Sequence, residues 1–553
     1  MKRLTFLGAI TASILLAASL AACGSSGTGS TATGGILTIS NSTGGTWTCQ
    51  FNPFNPNVNI LPFGPIYEPL AFVNTLQSGK ASPWLATSWA WSNGNRTLTL
   101  TIRNGVHWTD GKPMTAADVV YTFGLLKAHA ALDLNSVWTV LTSVTQQGSN
   151  QVVINFNTSG LPYFYYVAGQ TPIVPQHIWS TVKNPVTYND ANPIGTGAYT
   201  IKACTPENIT YTANKHYWMP GEPKVSEVLY PAFTSNTSAN TELATGQAQW
   251  GNQFIPDIAK FYMGKTPGNN YWFPPTLNND LFINNKDPLL SNVAVRRALA
   301  FAINRAQVSQ IGENGYQPPA NQTGIVNPTF GTWYDASAAA KYGYTYNPAK
   351  AEQILTAAGF HKGPNGIFVT KSGTPLNFTV INIGDFSDFV ASLQVIQANL
   401  KAAGIGVTVQ NLSQNAFDAA IFNGHYQLAY YYESGGPGPY YEFRQWLLSA
   451  NSAPIGQSAS SNYERYSSPA TDALLNSYAT ATTPAAQHQI MDQLQQVMLS
   501  QVPVIPVTES VDWYEYNTHL FSGWPTAANP YAQPGPAITP DFGYVLLHLK
   551  PAG

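Results

Sequence analysis

LTLTIRNGVHWTDGKPMTAADV, from Leu98 to Val119, contains the clearest secondary-structure pattern of this chain. Residues 96–103 alternate polar and apolar side chains, which predicts a half-buried strand. The Asp-Gly pair at 110–111 is a turn signal. Thr115 is a good N-cap, and Asp118 places an acidic group in the positive first turn of the helix that follows. The stretch therefore predicts a strand, a turn and a helix in close succession.

Strand and helix patterns are mixed along the rest of the chain as well, so the predicted fold class is α/β. The chain has 553 residues. A single hydrophobic core stops growing at roughly 250–300 residues, so we expect two or more lobes. Strand patterns cover 36–40, 151–157, 279–284, 375–381 and 406–410, and helix patterns cover 293–311, 347–358, 388–403 and 484–500.

The composition is poor in charge and rich in neutral polar residues. Charged residues make up 9% of the chain and hydrophobic residues 44%. After the N-terminus no apolar run reaches the ~18 residues that a membrane-spanning helix needs. The formal net charge is -2 and no basic stripe is present, which argues against a nucleic-acid partner.

The N-terminus has the three parts of an export signal. Lys2 and Arg3 are followed by an apolar segment, 4–18, and then by Leu-Ala-Ala-Cys ending at Cys23. This ending resembles the bacterial lipobox, which implies a signal peptide over 1–22 and a lipid on Cys23. An ordinary secretory signal with a chance cysteine is the alternative. The Gly- and Ser-rich residues 23–35 predict a flexible tether that holds a globular body outside the membrane of a bacterium.

Two cysteines remain, Cys49 and Cys204. An even pair in an oxidising compartment predicts one disulfide, and two buried thiols are the alternative.

Several phrases, in order, resemble the family 5 substrate-binding proteins of ABC importers, the family of oligopeptide-, dipeptide- and nickel-binding proteins. Residues 98–119 are the strongest match, and each phrase alone is weak. The other phrases are Pro83–Trp89, Gly195–Tyr199, Asn214–Trp218 with Glu222–Lys224, Val295–Arg305, Tyr346–Ala351 with Ala358–Gly359, and Leu400–Ile405. Asn304 stands where the family usually has Asp.

The resemblance implies a periplasmic-binding-protein-like clamp of two lobes (type II, cluster C) with an extra third domain. The first lobe would comprise 36–75, 195–283 and 511–553. The extra domain would be 76–194 and the second lobe 284–510. The chain would then cross between the lobes near 284 and near 510, and both cysteines would fall in the first lobe.

The family places ligand-binding residues in a segment that resembles 431–439 of this chain. Tyr432 stands where the family has Trp, and Gly435 stands where peptide-binding members carry the Asp that pairs with the ligand's ammonium group. Either Glu433 replaces that Asp, or the ligand has no cationic end. Some family members bind oligosaccharides, and aromatic planes with neutral polar side chains suit a sugar.

Aromatic residues near the expected cleft are further binding candidates, with ordinary packing as the alternative for each. They are Trp47, Trp250, Tyr430, Tyr431, Tyr432 and Trp446.

The resemblance implies a monomeric binding protein that hands a peptide or an oligosaccharide to an ABC permease, without a cofactor. A ligand-sensing receptor with the same clamp is the alternative function. A serine hydrolase of the penicillin-binding type is a remote one, because the Ser-x-x-Lys at 180–183 has its companion motifs in the reverse order. The nine His show no metal-ligand spacing, so we expect no metal site. The motifs H-E-x-x-H, G-x-x-x-x-G-K-[ST] and G-x-S-x-G do not occur, so we expect no enzyme.

Overall fold

Residues 98–119 form the strand and the capped helix that were predicted from their sequence. Thr97–Ile102 is a strand in which Leu98, Leu100 and Ile102 are buried. Thr115 caps the helix Ala116–Ala128, and Asp118 accepts a hydrogen bond from the backbone N–H of Thr115 at 2.8 Å, which completes a capping box. The second carboxylate oxygen of Asp118 accepts from the N–H of Gln176 at 3.0 Å, so the cap also holds the start of the helix Gln176–Trp179.

The computed structural model describes residues 35–41, 46–55, 62–233, 235–433 and 435–552. The predicted signal peptide, Cys23 and the predicted tether up to residue 34 lie outside these residues. In the part described, no helix has the length and apolar character needed to cross a membrane.

Three sheets of four or more strands organise the body, and they correspond to the extra domain and the two lobes. The sheet of the extra domain is antiparallel, with strands in the order Ala86–Ser92, Thr97–Ile102, Gln151–Phe156 and Leu141–Gln147. The sheet of lobe I has the order Asn269–Tyr271, Glu515–Asn517, Trp250–Asn252, Ile36–Asn41, Glu227–Pro231, Asn208–Ala213 and Tyr199–Cys204. The sheet of lobe II has the order Gly406–Leu412, Asn377–Ile383, Leu428–Tyr432, Pro275–Ile283 and Val504–Val511. The α/β class with two lobes and an extra domain is confirmed.

Helices and short strand pairs cover the sheets. The α-helices are Ala116–Ala128, Gln176–Trp179, Asn236–Ala244, Val293–Ala302, Arg305–Gln307, Ala336–Tyr342, Pro348–Ala357, Ser387–Ala402, Gln414–Asn423, Pro439–Leu447, Pro469–Thr480, Pro484–Gln501 and Asp541–His548. Short 3-10 or π segments are Thr75–Gln77, Ala130–Leu132, Val137–Thr139, Leu161–Tyr163, Tyr165–Gly169, Pro185–Thr187, Ala259–Met263, Val308–Gly312, Gly331–Trp333 and Ser449–Asn451. The strand pairs are Ala71–Asn74 with Lys80–Pro83, His361–Lys362 with Phe368–Val369, and Phe521–Ser522 with Lys550–Pro551.

The predicted helix 293–311 is wrong in one respect, because it ends at Ala302. Asn304 leaves the helical backbone and its side chain accepts the N–H of Gln307 at 3.1 Å, which starts a new short helix. The amide of Asn304 can fill this capping role as well as the family's Asp.

Two of the family-like phrases meet at one buried carboxylate, Glu68. The indole N–H of Trp84 donates to it at 2.7 Å, the hydroxyl of Tyr217 at 2.6 Å and the indole N–H of Trp218 at 3.0 Å. Trp84 belongs to the predicted extra domain and the other two donors to lobe I. These phrases therefore fasten the extra domain to lobe I, and no ligand is needed to explain them.

The predicted boundary near 284 lies too late in the chain. The strand Pro275–Ile283 was assigned to lobe I, but it pairs with Leu428–Tyr432 and Val504–Val511 inside the sheet of lobe II. The crossings lie at 272–274 and 512–514, where the N–H of Trp272 donates to Tyr514 and that of Asp512 donates to Pro274. The two connections are therefore a pair of adjacent antiparallel segments, and the hinge predicted at the lobe crossings would lie there.

A disulfide joins Cys49 to Cys204, whose Cα atoms are 5.8 Å apart. Cys204 ends an edge strand of the lobe I sheet, and the bridge spans 155 residues of sequence.

We predict that replacing both cysteines by Ser lowers the unfolding free energy by about 2–5 kcal/mol, because the bridge restricts the unfolded chain. Thermal unfolding of the double variant and of the native protein, each with and without reductant, measures this. Peptide mapping under non-reducing conditions should yield a linked Cys49–Cys204 pair. Two free thiols in folded material would contradict the assignment.

Candidate functional site

A continuous cleft runs between lobe I, lobe II and the extra domain. It consists of four adjoining cavities of about 260 to 290 Å³ each, and neighbouring cavities share lining residues. Four adjoining cavities suit an extended ligand that occupies more than one of them.

The first of these, the aromatic cavity, lies between the lobes near the hinge and encloses about 280 Å³. Lobe I contributes Phe254 and Trp513. Lobe II contributes Phe386, Phe389 and Tyr432. Neutral amides accompany the rings, namely Asn236, Asn252, Asn279, Gln317 and Gln533.

The neighbouring central cavity, of about 290 Å³, brings all three parts of the molecule together. Tyr432 and Glu433 come from lobe II, Gln533 from lobe I, and Tyr165 and Gln170 from the extra domain. The third, the arginine cavity, shares Tyr165, Gln170 and Glu433 with it and is also lined by Arg444. The fourth, the outer cavity, lies between the extra domain and the loop around Asn52–Asn55.

The predicted segment 431–439 does reach this cleft. The strand Leu428–Tyr432 ends at its edge, a loop rich in Gly follows, and the helix Pro439–Leu447 comes next and contributes Arg444 and Gln445 to the lining. Tyr432 and Glu433 line the cavities. Tyr431 stacks on Tyr432 with ring centroids 4.3 Å apart, behind the lining. A ligand contact for Tyr432 and Glu433 stays a prediction.

Four of the predicted aromatic residues are packing residues in this structure. Trp47, Trp250, Tyr430 and Trp446 are at most 3% exposed. Their polar atoms have protein partners: the indole N–H groups bind the carbonyls of Tyr230 and Pro534 and a carboxylate oxygen of Asp280, and the tyrosine hydroxyl meets Thr508. Residue type alone did not distinguish a core ring from a cleft ring.

Gly435, where the family's Asp would stand, leaves no room for a side chain without rearrangement. A Cβ atom there would lie 2.4 Å from the Cδ2 atom of Leu277. A side chain at this position would therefore require the end of the Leu277 side chain to move.

Sequence reasoning missed the aromatic cavity itself. Phe386, Asp388 and Phe389 follow directly after the strand Asn377–Ile383, at the carboxyl end of parallel strands where ligands commonly bind. That position was the available signal. The sequence around Trp513 carries no comparable signal, because this residue lines the cavity only through its place in the connection between the lobes.

Carboxyl groups dominate the electrostatics of lobe II. In the aromatic cavity, burial raises the pKa of Asp388 to about 6 and that of Asp512 to about 7. Beneath the cleft, burial raises the pKa of Glu442 and of Glu464 to about 8 each. None of these four residues belongs to an ion pair in the described part of the chain.

Glu464 is the clearest of these buried acids. It is fully buried, and both of its carboxylate oxygens lack a hydrogen-bond partner. Charging it inside the protein is therefore costly, and at neutral pH the folded state retains a proton that the unfolded state releases.

Residues 80–454 match the family model for the bacterial extracellular solute-binding proteins, family 5, middle region. The chain is 24% identical over 475 residues to the periplasmic murein peptide-binding protein MppA of Escherichia coli (strain K12), which covers 82% of this chain and 83% of that one.

Solved structures share the whole architecture. A mannohexaose-bound periplasmic oligopeptide-binding protein of an oligopeptide ABC transporter from Thermotoga maritima superposes with a TM-score of 0.86 at 25% identity, covering 94% of this chain and 99% of that one. The oligopeptide-binding protein AppA of Bacillus subtilis, solved with a nonapeptide, gives a TM-score of 0.79 at 20% identity, with coverage of 94% and 99%. The second likeness supports the fold alone.

We predict that the protein is most stable near pH 5 and loses several degrees of Tm towards pH 8. The folded pKa values of the buried acids are raised, so their stabilising contribution is complete below about 4.5 and is lost as the pH rises through about 8. Thermal unfolding across this range measures the effect.

Glu464→Gln, which resembles the protonated acid, should reduce the loss of Tm between pH 5 and pH 8. Glu207→Gln, at an exposed position, is the matched control and should leave the pH dependence unchanged. A Tm that rises with pH, or a Glu464→Gln variant with the native pH dependence, would contradict the interpretation.

Proposed function

The chain belongs to the bacterial extracellular solute-binding proteins of family 5, and on this premise we propose that it captures an oligosaccharide or a peptide outside the membrane for an ABC importer. The observation that carries the proposal is the cleft of four adjoining cavities between the lobes and the extra domain. A chain-like ligand can occupy successive cavities, and closure of the lobes removes it from water.

The lining favours an oligosaccharide over a peptide. In the aromatic cavity, five rings offer flat apolar faces, and the partly exposed amides of Asn236 and Asn252 offer neutral hydrogen bonds. This combination suits the faces and hydroxyls of a sugar. The T. maritima structure, which holds mannohexaose, supports the same choice. A peptide remains the second candidate because Glu433 lines the central cavity and can accept an ammonium group.

The hinge supplies the mechanism. Both segments that connect the lobes run side by side, so a small change in their backbone angles rotates one lobe towards the other. The ligand stabilises the closed form because only that form contacts it from both lobes. The closed form would then dock on the permease and release the ligand.

The compartment follows from the N-terminus. The signal-like residues 1–22 and the lipobox-like cysteine support export and lipid attachment to the cell membrane. The tether would let the monomeric body reach the permease while it stays near the membrane.

We predict that mannohexaose or another neutral oligosaccharide raises the Tm of the full chain, because a ligand at 100 times its Kd adds about 2.7 kcal/mol. A thermal-shift screen against manno-, cello-, xylo- and malto-oligosaccharides and against di- to pentapeptides measures this. A response to peptides alone would reverse the order of the two candidates, and Glu433→Gln should then abolish it. No response to either class would reject the proposal.

Trp513→Ala should weaken oligosaccharide binding roughly tenfold, about 1.4 kcal/mol, because it removes one ring of the aromatic cavity. Trp89→Ala removes a half-buried ring of the extra domain that lines none of the four cavities, and it is the matched control. Calorimetric titration measures both variants. Equal affinity of the two variants would show that the ligand does not use the aromatic cavity.

Cys23→Ser should move the protein from the membrane fraction to the soluble extracytoplasmic fraction, because the thiol that would carry the lipid is removed. Fractionation of producing cells followed by immunoblotting measures this. Cys204→Ser, which leaves Cys23 intact, serves as the control. Unchanged membrane association of the Cys23→Ser variant would contradict lipid attachment at this residue.

A further inference from the structure

The extra domain forms one body with lobe I. The three donors to the buried carboxylate of Glu68, described above, come from both parts. The side-chain amide of Asn52 in lobe I also donates to the carbonyls of Pro185 and Tyr188 in the extra domain, at 3.0 and 2.9 Å. A rotation of lobe II about the two connections therefore moves it relative to the extra domain as well as to lobe I.

Tyr441 joins lobe II to this body. Its hydroxyl, on the helix Pro439–Leu447, donates to the carbonyl of Pro162 in the extra domain at 2.8 Å, and the bond is buried. Its ring packs against those of Tyr165 and Tyr166, with centroids 5.3 and 5.5 Å away. We call Tyr441, Pro162, Tyr165 and Tyr166 the tyrosine clasp.

The loop before that helix is shaped for this contact. Gly436 passes so close to Tyr441 that a Cβ atom there would lie 2.5 Å from the Cγ atom of the ring. The next residue, Pro437, lies against Gly79 of the extra domain, where an added Cβ atom would lie 2.8 Å from the Cβ atom of Pro437. Gly79 also has a φ of 77°, which other residues rarely adopt. Glycine at these two positions therefore lets the loop approach both the ring and the extra domain closely.

The clasp lies beside the cleft. Among the described residues, Tyr441 lines none of the four cavities, whereas Tyr165 lines the central and arginine cavities. The loop that leads to Tyr441 begins at Glu433, which lines the same two cavities. Because the clasp is built from two bodies, it exists only while lobe II lies against the extra domain. Opening of the cleft there would break the buried hydrogen bond and expose the rings to water, which costs free energy.

We propose that the extra domain holds the clamp closed through the tyrosine clasp, with or without a ligand. Tyr441 is a positioning residue, which acts by keeping the two sides of the cleft at their closed separation. A ligand leaves only when the clamp opens, so the clasp would slow its release. The inference goes beyond the proposed function, because it does not depend on which ligand the cleft binds.

The test measures the separation of lobe II from the extra domain in the unliganded full chain. Spin labels at Thr145→Cys in the extra domain and Asn365→Cys in lobe II, both exposed and outside the four cavities, give a distance distribution by double electron–electron resonance. A Cys23→Ser background leaves these two as the free thiols, since Cys49 and Cys204 are joined.

Tyr441→Phe should add a second, open separation to this distribution and raise the ratio of open to closed molecules about fivefold, because one buried hydrogen bond is lost. Tyr441→Ala should shift the distribution further in the same direction, since it also removes the ring contacts. Tyr426→Phe is the matched control. The hydroxyl of Tyr426 donates to the carbonyl of Tyr463 at 2.6 Å within lobe II, so its loss should leave the distribution unchanged.

Two outcomes would overturn the inference. If neither Tyr441 variant changes the distribution, the clasp does not hold the clamp closed. If Tyr441→Phe lowers the Tm more than Tyr426→Phe does but adds no open separation, Tyr441 has a structural role only. Neither outcome bears on ligand capture, which the thermal-shift screen tests separately, so the two proposals fail independently of each other.

Discussion

The backbone pairing of two antiparallel strands, Pro275–Ile283 and Val504–Val511, is the constraint on which the clamp depends. Each strand continues through a short connection into the sheet of lobe I. The same pair of strands therefore belongs to the sheet of lobe II and connects the two lobes. Buried polar side chains hold it in place: Asn278 donates to Glu442 and to the carbonyl of Gly324, and Asn279 donates to Thr508. The cleft forms where this pair leaves lobe II, so its position follows from the strand register.

Local sequence patterns were sufficient to predict much of the fold but little of the site. The strand, turn and capped helix around residues 98–119 are determined by residues close to one another in sequence. For that reason they could be predicted from the local pattern. The hinge strand was placed in the wrong lobe because its partners lie more than a hundred residues away and its Asn-Asn-Asp centre lacks strand alternation. Whether Trp250 or Trp513 faces the cleft depends on how the two lobes meet. The residues around each Trp do not show this.

The cleft also joins two kinds of electrostatic environment. Lobe II carries several buried carboxyl groups without counter-ions, and burial keeps them largely protonated. The lining near the hinge combines rings and amides with the carboxyl groups of Asp388 and Asp512, whose pKa values burial raises to about 6 and about 7. Arg444 stands at a distance along the cleft, in the third cavity.

The bridge between Cys49 and Cys204 would keep the chain in one covalent piece after a single proteolytic cut in the extra domain. It encloses the entire extra domain, because the four-stranded sheet lies between the two cysteines in sequence. A single cut in a surface loop of that domain would leave two polypeptide pieces still covalently joined. An exported protein with this closed loop can be nicked there without shedding a fragment, and its lobes stay connected to the clamp.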